Sequence, residues 1–187
     1  MDRHVDKSEL RGRLFDLLKT LSFRRGQVTL ASGRQSDYYF DTKPTMLDPD
    51  GAGLLAELIL QELEGVDADC VGGIEMGAVP LIGPVVMKSP EFGRRLTGFI
   101  VRKAVKDHGT KKLIEGGNIE GKNVVILEDV TTSGGSALLA VKAARQAGGN
   151  VMLVLSILDR GEGAAALYAA ERIPFRSLFH GSEFLAA

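Results

Sequence analysis

The sequence has only one cysteine and three histidines, and neither an HxxxH nor a CxxC spacing occurs. A lone cysteine excludes an intrachain disulfide and metal binding through several thiolates, so no metal held directly by protein side chains is expected. Charge of one sign is also missing: 23 basic against 24 acidic residues leave a net charge of −1. That balance gives no global reason to expect nucleic acid or a membrane as partner, and any anion site must come from local clustering. No apolar stretch approaches the roughly 20 residues that span a bilayer. The charged N-terminus, MDRHVDKSELRGR, lacks the apolar core of a secretory signal. A soluble cytoplasmic protein is the expectation. With 187 residues, 44% apolar and 25% charged, the chain suits a single domain, 1–187, that can bury a substantial core.

The apolar pattern supplies an architecture. Ser8 is a candidate cap for a helix reaching about Phe23, with Leu10, Leu14, Leu17, Leu18 and Leu21 on one face. The segment QVTLASGRQSDYYFDTKP then reads as a hairpin-like unit. Asp48 and Pro49 are a cap and first-turn pair for a helix through Glu64. From Cys70 onward strands and helices alternate, with strands at Cys70 to Ile74, Leu96 to Val101, Asn123 to Leu127, Val151 to Leu158 and Phe175 to Leu178. Apolar strands separated by helices predict an α/β fold, a Rossmann-like parallel sheet flanked by helices, behind a small N-terminal unit of helix and short strands. Ligands of such sheets bind at the carboxyl ends of strands, near a topological switch point. Glu128 and Asp129, the Gly73 to Pro80 turn, and Asp159 with Arg160 all fall at such ends.

The densest chemistry lies in VVILEDVTTSGGS, Val124 to Ser136. Two adjacent acids, Glu128 and Asp129, follow an apolar run; after Val130 come six hydroxyl or glycine positions in a row, Thr131, Thr132, Ser133, Gly134, Gly135 and Ser136. Carboxylates accept hydrogen bonds from vicinal sugar hydroxyls, and a glycine-rich turn opening a helix offers backbone N–H groups to a phosphate. A strand-end turn with solvated acids is the plainer alternative. A Walker-type loop would carry a Lys before its Ser or Thr, and a dinucleotide fingerprint lacks the acid pair, so neither fits. A phosphorylated sugar is the ligand to look for.

A second cluster follows the strand ending at Val101: Arg102, Lys103, Lys106 and His108 fall within seven residues, followed by Gly109. A solvated charge run would explain most such clusters. This one lies in a stretch without an apolar pattern, 102–121, and loops of that length in compact domains are functional or disordered.

These segments together resemble type I phosphoribosyltransferases, and within them the orotate phosphoribosyltransferases. The acid pair with Thr-x-x-Gly-x-Ser looks like the motif that binds the donor, 5-phosphoribosyl 1-diphosphate. R-K-x-x-K-D-H-G resembles the family's mobile catalytic loop, and TLASGRQSDYYFD its acceptor-side segment. The resemblance implies that 1–45 form an orotate-side hood, 66–180 the core and 102–121 the catalytic loop. It implies donor contacts from Glu128 through Ser136 and a diphosphate loop of Glu75, Met76, Gly77 and Ala78. Arg102, Lys103, Lys106 and His108 would act on the leaving diphosphate. Tyr39, Phe40, Thr132 and Arg160 would contact orotate, with the Arg160 guanidinium meeting its carboxylate in a two-pronged geometry that Lys cannot reproduce. It further implies Mg2+ bound mainly through the donor's diphosphate and ribose hydroxyls, and a homodimer that shares the loop across its interface. Two departures stand out: Ala31 and Gly77 occupy positions where some relatives carry Lys. A phosphoribosyltransferase for another base, or a regulator that keeps the donor site as a sensor, are the alternative readings.

Overall fold

The computed structural model describes residues 6–29, 35–104 and 113–187. In chain order the elements are α1 (Lys7–Leu21), β1 (Phe23–Thr29), β2 (Gln35–Phe40), α2 (Lys43–Met46), α3 (Pro49–Glu62), β3 (Cys70–Ile74), α4 (Val79–Lys88), β4 (Thr97–Val101), β5 (Ile114–Gly116), β6 (Asn123–Thr131), α5 (Gly135–Gln146), β7 (Asn150–Asp159), α6 (Ala164–Ala170), β8 (Phe175–His180) and α7 (Gly181–Ala186). Asp6, not Ser8, caps α1: its carboxylate accepts from the N–H groups of Ser8 and Glu9. Asp48 caps α3 in the same way, as its sequence predicts.

One six-stranded sheet runs in the order β5-β4-β3-β6-β7-β8, and β1 pairs with β2 as a separate antiparallel ribbon. The pairs from β4 through β8 are parallel, while β5 returns antiparallel on the edge of β4. Three residues are too short to show a periodic pattern, so β5 was invisible within the expected 102–121 loop. The chain winds outward from β3 to β4 in one direction and from β6 to β7 and β8 in the other. The switch point therefore lies between β3 and β6.

The period-two alternation of β6 sorts its side chains onto two cores. Val125 and Leu127 join the cluster formed with α1, α3 and α4, whereas Val124 and Ile126 join the one with α5 and Tyr168 of α6. β6 also runs four residues beyond the expected end at Leu127, because β7 continues to pair with it as far as Thr131 opposite Asp159.

The N-terminal elements are fastened to the C-terminal ones by aromatic packing. Phe184 of α7, fully buried, stacks on Phe15 with ring centroids 4.4 Å apart and meets Phe40 edge-on at 4.9 Å. Arg11 adds an ion pair to Glu183 at 2.6 Å and lies over the Phe179 ring at 4.4 Å. Phe184→Ala should thus lower the unfolding free energy by about 3–5 kcal/mol, the usual cost of emptying a buried phenyl site. Urea denaturation measures it, and a loss below 1 kcal/mol would show that α7 does not fasten the two ends.

Candidate active site

Of the residues singled out in the sequence, Glu75 to Ala78, Arg102, Lys103, Glu128 to Ser136 and Arg160 lie at the carboxyl edge of the sheet, on both sides of the switch point. Strand alternation places Asp129 on the face shared with α4, and Glu128 on the face covered by α5 and α6. Glu128 is 5% exposed. Its Oε2 has no hydrogen-bond partner among the described residues. Its pKa is pushed up to about 9, first by burial and then by the hydrogen bond and charge of the neighbouring Asp129 carboxyl; the charge of Lys103 opposes the shift. The free protein therefore holds a neutral acid here at pH 7.

Asp129 has different neighbours. The Thr42 hydroxyl lies 3.4 Å from its Oδ2, and Lys43 Nζ, paired to Asp41 at 3.1 Å, lies 4.0 Å from the same oxygen. Gly77 packs directly against this carboxylate: a Cβ there would stand 2.5 Å from Oδ1 and 2.9 Å from Cγ. A side chain at position 77 and the observed Asp129 rotamer exclude each other, which gives a physical setting for the missing Lys.

The turn after β6 has the form of an anion seat. Gly134 adopts φ 86° and precedes α5 with no side chain capping the helix. The N–H groups of the first turn are thus left for another acceptor. Glu128, Tyr168 and residues 130–137 enclose a cavity of about 160 Å³ at this point.

On the β3 side, Glu75 to Ala78 form the turn into α4. The Glu75–Met76 peptide is cis, Met76 is largely exposed, and Ala78 is buried. Glu75 joins this turn to the basic segment, because its Oε1 accepts the Lys103 N–H at 3.0 Å. Arg102 is held in the β4–β5 hairpin through its N–H to Leu113 O at 2.8 Å, with Glu115 at 3.7 Å from its guanidinium. Lys106, His108 and Ala31 lie outside the described residues.

On the β7 side, the Arg160 N–H donates to Thr131 O at 2.9 Å, tying the end of β7 to the turn after β6. Its guanidinium donates through Nε to Glu162 at 2.9 Å and through Nη2 to Ser36 Oγ at 2.7 Å, and lies over the Tyr38 ring at 4.1 Å. A second cavity of about 250 Å³ is bordered by Arg160, Glu162, Leu185 and β2 residues 35–38.

The expected pair Tyr39 and Phe40 is split by the strand. Tyr39 is 47% exposed, whereas Phe40 is 6% exposed in the core against Phe23 and Phe184. Tyr38, on the same face as Phe40, is the ring beside Arg160. The alternation of QSDYYF already carried this signal. Lys43, Glu162 and Tyr168 were not singled out in the sequence, and Ser36 only as part of the acceptor-side segment. The first three reach the site through tertiary docking, for which no local pattern exists.

No family model matches the chain. An orotate phosphoribosyltransferase of Bradyrhizobium diazoefficiens is 52% identical over 187 residues, covering 98% of this chain and 100% of the relative. The chain belongs to the orotate phosphoribosyltransferase family. A member from Streptomyces avermitilis is 40% identical over 94% of this chain and 97% of its own length. Among solved structures, the Mycobacterium tuberculosis orotate phosphoribosyltransferase in complex with 5-phospho-alpha-D-ribosyl 1-diphosphate is similar with a TM-score of 0.80. It is 35% identical and covers 94% of this chain and 98% of that one. The mostly parallel sheet flanked by helices is thus the type I phosphoribosyltransferase fold that the sequence resemblance implies.

The neutral Glu128 has a consequence for stability. Its folded pKa, about 9, lies above the ordinary 4.5. The native state therefore binds a proton that the unfolded chain releases, and this contribution is full below pH 4.5 and lost as pH rises to about 9. Ligand-free protein should become less stable across that window, and Glu128→Gln should flatten the slope. Thermal unfolding at successive pH values measures this; parallel slopes for both proteins would contradict the assignment.

Proposed function

We propose that this chain transfers the phosphoribosyl group of 5-phosphoribosyl 1-diphosphate to orotate, forming orotidine 5′-phosphate and diphosphate in the synthesis of UMP. Family membership supports the reaction class. The observation that supports the residue-level reading is the 2.9 Å bond from Arg160 N–H to Thr131 O, which brings Arg160 beside the turn that follows β6.

In this reading Thr131, Thr132, Ser133, Gly134, Gly135 and Ser136 hold the 5-phosphate, and Glu128 and Asp129 accept hydrogen bonds from the ribose hydroxyls. Glu75 to Ala78 receive the diphosphate through backbone groups, since Gly77 offers no side chain. Arg160 and Thr132 orient orotate, with Tyr38 rather than Phe40 as the aromatic neighbour of Arg160. The ring nitrogen attacks the anomeric carbon as the bond from that carbon to the diphosphate oxygen breaks. Positioning and charge stabilisation then carry the step, without a protein nucleophile. Arg102, Lys103, Lys106 and His108 neutralise the departing diphosphate, with His108 the candidate proton donor. A closing loop keeps water from the electrophilic sugar.

Among the described residues no group of three or more His, Cys, Asp or Glu could hold a metal ion. The acids that are present, Glu128 and Asp129, suit ribose hydroxyls, so Mg2+ would enter on the donor's own oxygens and offset diphosphate charge. The active unit in this reading is a cytoplasmic homodimer in which the 102–121 loop of one subunit serves the partner's site. Residues 1–45 act as the acceptor-side hood over the 66–180 core. No helix among the described residues is long and apolar enough to cross a membrane.

Mixing protein, magnesium, donor and orotate should deplete orotate absorbance. Arg160→Lys should raise the orotate KM by roughly tenfold to a hundredfold, as expected for lost charge-assisted bonds, and leave the donor KM in place. An equal loss with every base tested, or a parallel fall in melting temperature, would assign Arg160 a structural task instead.

A further inference from the structure

We propose that Tyr168 is a positioning residue for the phosphate-binding turn, fixing the Gly134 peptide so that the Gly135 N–H faces the donor's 5-phosphate. The inference rests on the donor site proposed above and adds to it a residue from α6, an element with no part in the sequence motif.

Tyr168 is fully buried, and its ring packs on Phe175 of β8 with centroids 4.9 Å apart. With the ring held from below, the hydroxyl has a fixed position, and it donates to Gly134 O at 3.1 Å. The same carbonyl accepts the Leu138 N–H at 3.1 Å, so it is tied from two directions. A peptide unit is planar and trans, and its N–H points opposite its C=O. Fastening the Gly134 carbonyl inward to Tyr168 therefore turns the Gly135 N–H outward, toward the cavity that Thr131 to Ser136 border.

The approach is close enough to dictate the residue at position 134. A Cβ there would stand 2.9 Å from both Cζ and the hydroxyl oxygen of Tyr168, and 3.2 Å from the Ala164 Cβ. The backbone at Gly134, with φ 86°, is also one that L side chains rarely adopt. The phenol stays a neutral donor throughout the working range: burial first, then the nearby Glu128 charge, pushes its pKa up to about 12. Tyr168, Glu128 and the turn line the same cavity.

Removing one of the two hydrogen bonds that hold this carbonyl lowers the receptive population of the turn, and apparent affinity falls by the same fraction. Tyr168→Phe keeps the ring and deletes only the hydroxyl. We expect it to weaken ribose 5-phosphate binding, measured by calorimetry, and to raise the donor KM, each about fivefold as for one lost neutral bond. The orotate KM and kcat at saturating donor should hold, and amide exchange in ligand-free protein should quicken at 133–136 but not in β3 or β6. Unchanged ribose 5-phosphate affinity and donor KM would overturn the inference, even if the variant melts at a lower temperature. A parent protein that fails to bind ribose 5-phosphate would instead remove the donor site on which the inference depends.

Discussion

A carboxyl group buried at the end of the central strand is the constraint around which this site is built. Glu128 is nearly buried between the sheet, α5 and α6, beside another acid, so its charge would be poorly solvated. An ionised carboxylate in such a place costs several kcal/mol unless something pairs with it. The free protein meets the constraint by keeping the group protonated, and Oε2 has no hydrogen-bond partner among the described residues. In the proposed complex the donor's hydroxyls and its associated cation supply what is missing. The site is thus more complete with its ligand than without it.

The strand geometry explains why two adjacent acids behave differently. Alternation along β6 gives Glu128 to the helical face with Tyr168, and Asp129 to the face with Gly77, Thr42 and Lys43. Glycine at 77 admits the Asp129 carboxylate, and the N-terminal segment brings a hydroxyl and a cation to it. Arg160 enters from β7, its side chain fixed by Glu162, Ser36 and the Tyr38 ring, and in the proposed complex it is ordered before the acceptor arrives. Such prior ordering removes entropy that binding would otherwise have to offset.

The fold and the turn after β6 were legible in the sequence because each is written in a local pattern. Apolar strands, the Asp48–Pro49 cap and the acid pair before a hydroxyl-glycine run need only neighbours in the chain. The three-residue β5 and the short α7 left no periodic trace, although α7 supplies the fully buried Phe184. Reading Tyr39 and Phe40 as a pair followed adjacency where the strand period of two separates them, and Tyr38 took the place beside Arg160. Lys43, Glu162 and Tyr168 could not have been selected from sequence, since each is defined by what lies across the fold from it. Gly77 looked like a lost lysine and is, in the structure, the space that Asp129 occupies.

Proton exchange on donor binding tests the electrostatic account most directly. Calorimetric titration with donor and magnesium at pH 7.5, repeated in buffers of different ionisation enthalpy, counts the protons exchanged. The account predicts release of about one proton as Glu128 ionises against the ribose hydroxyls, and none from Glu128→Gln. Donor binding with no proton released by the parent protein would contradict it.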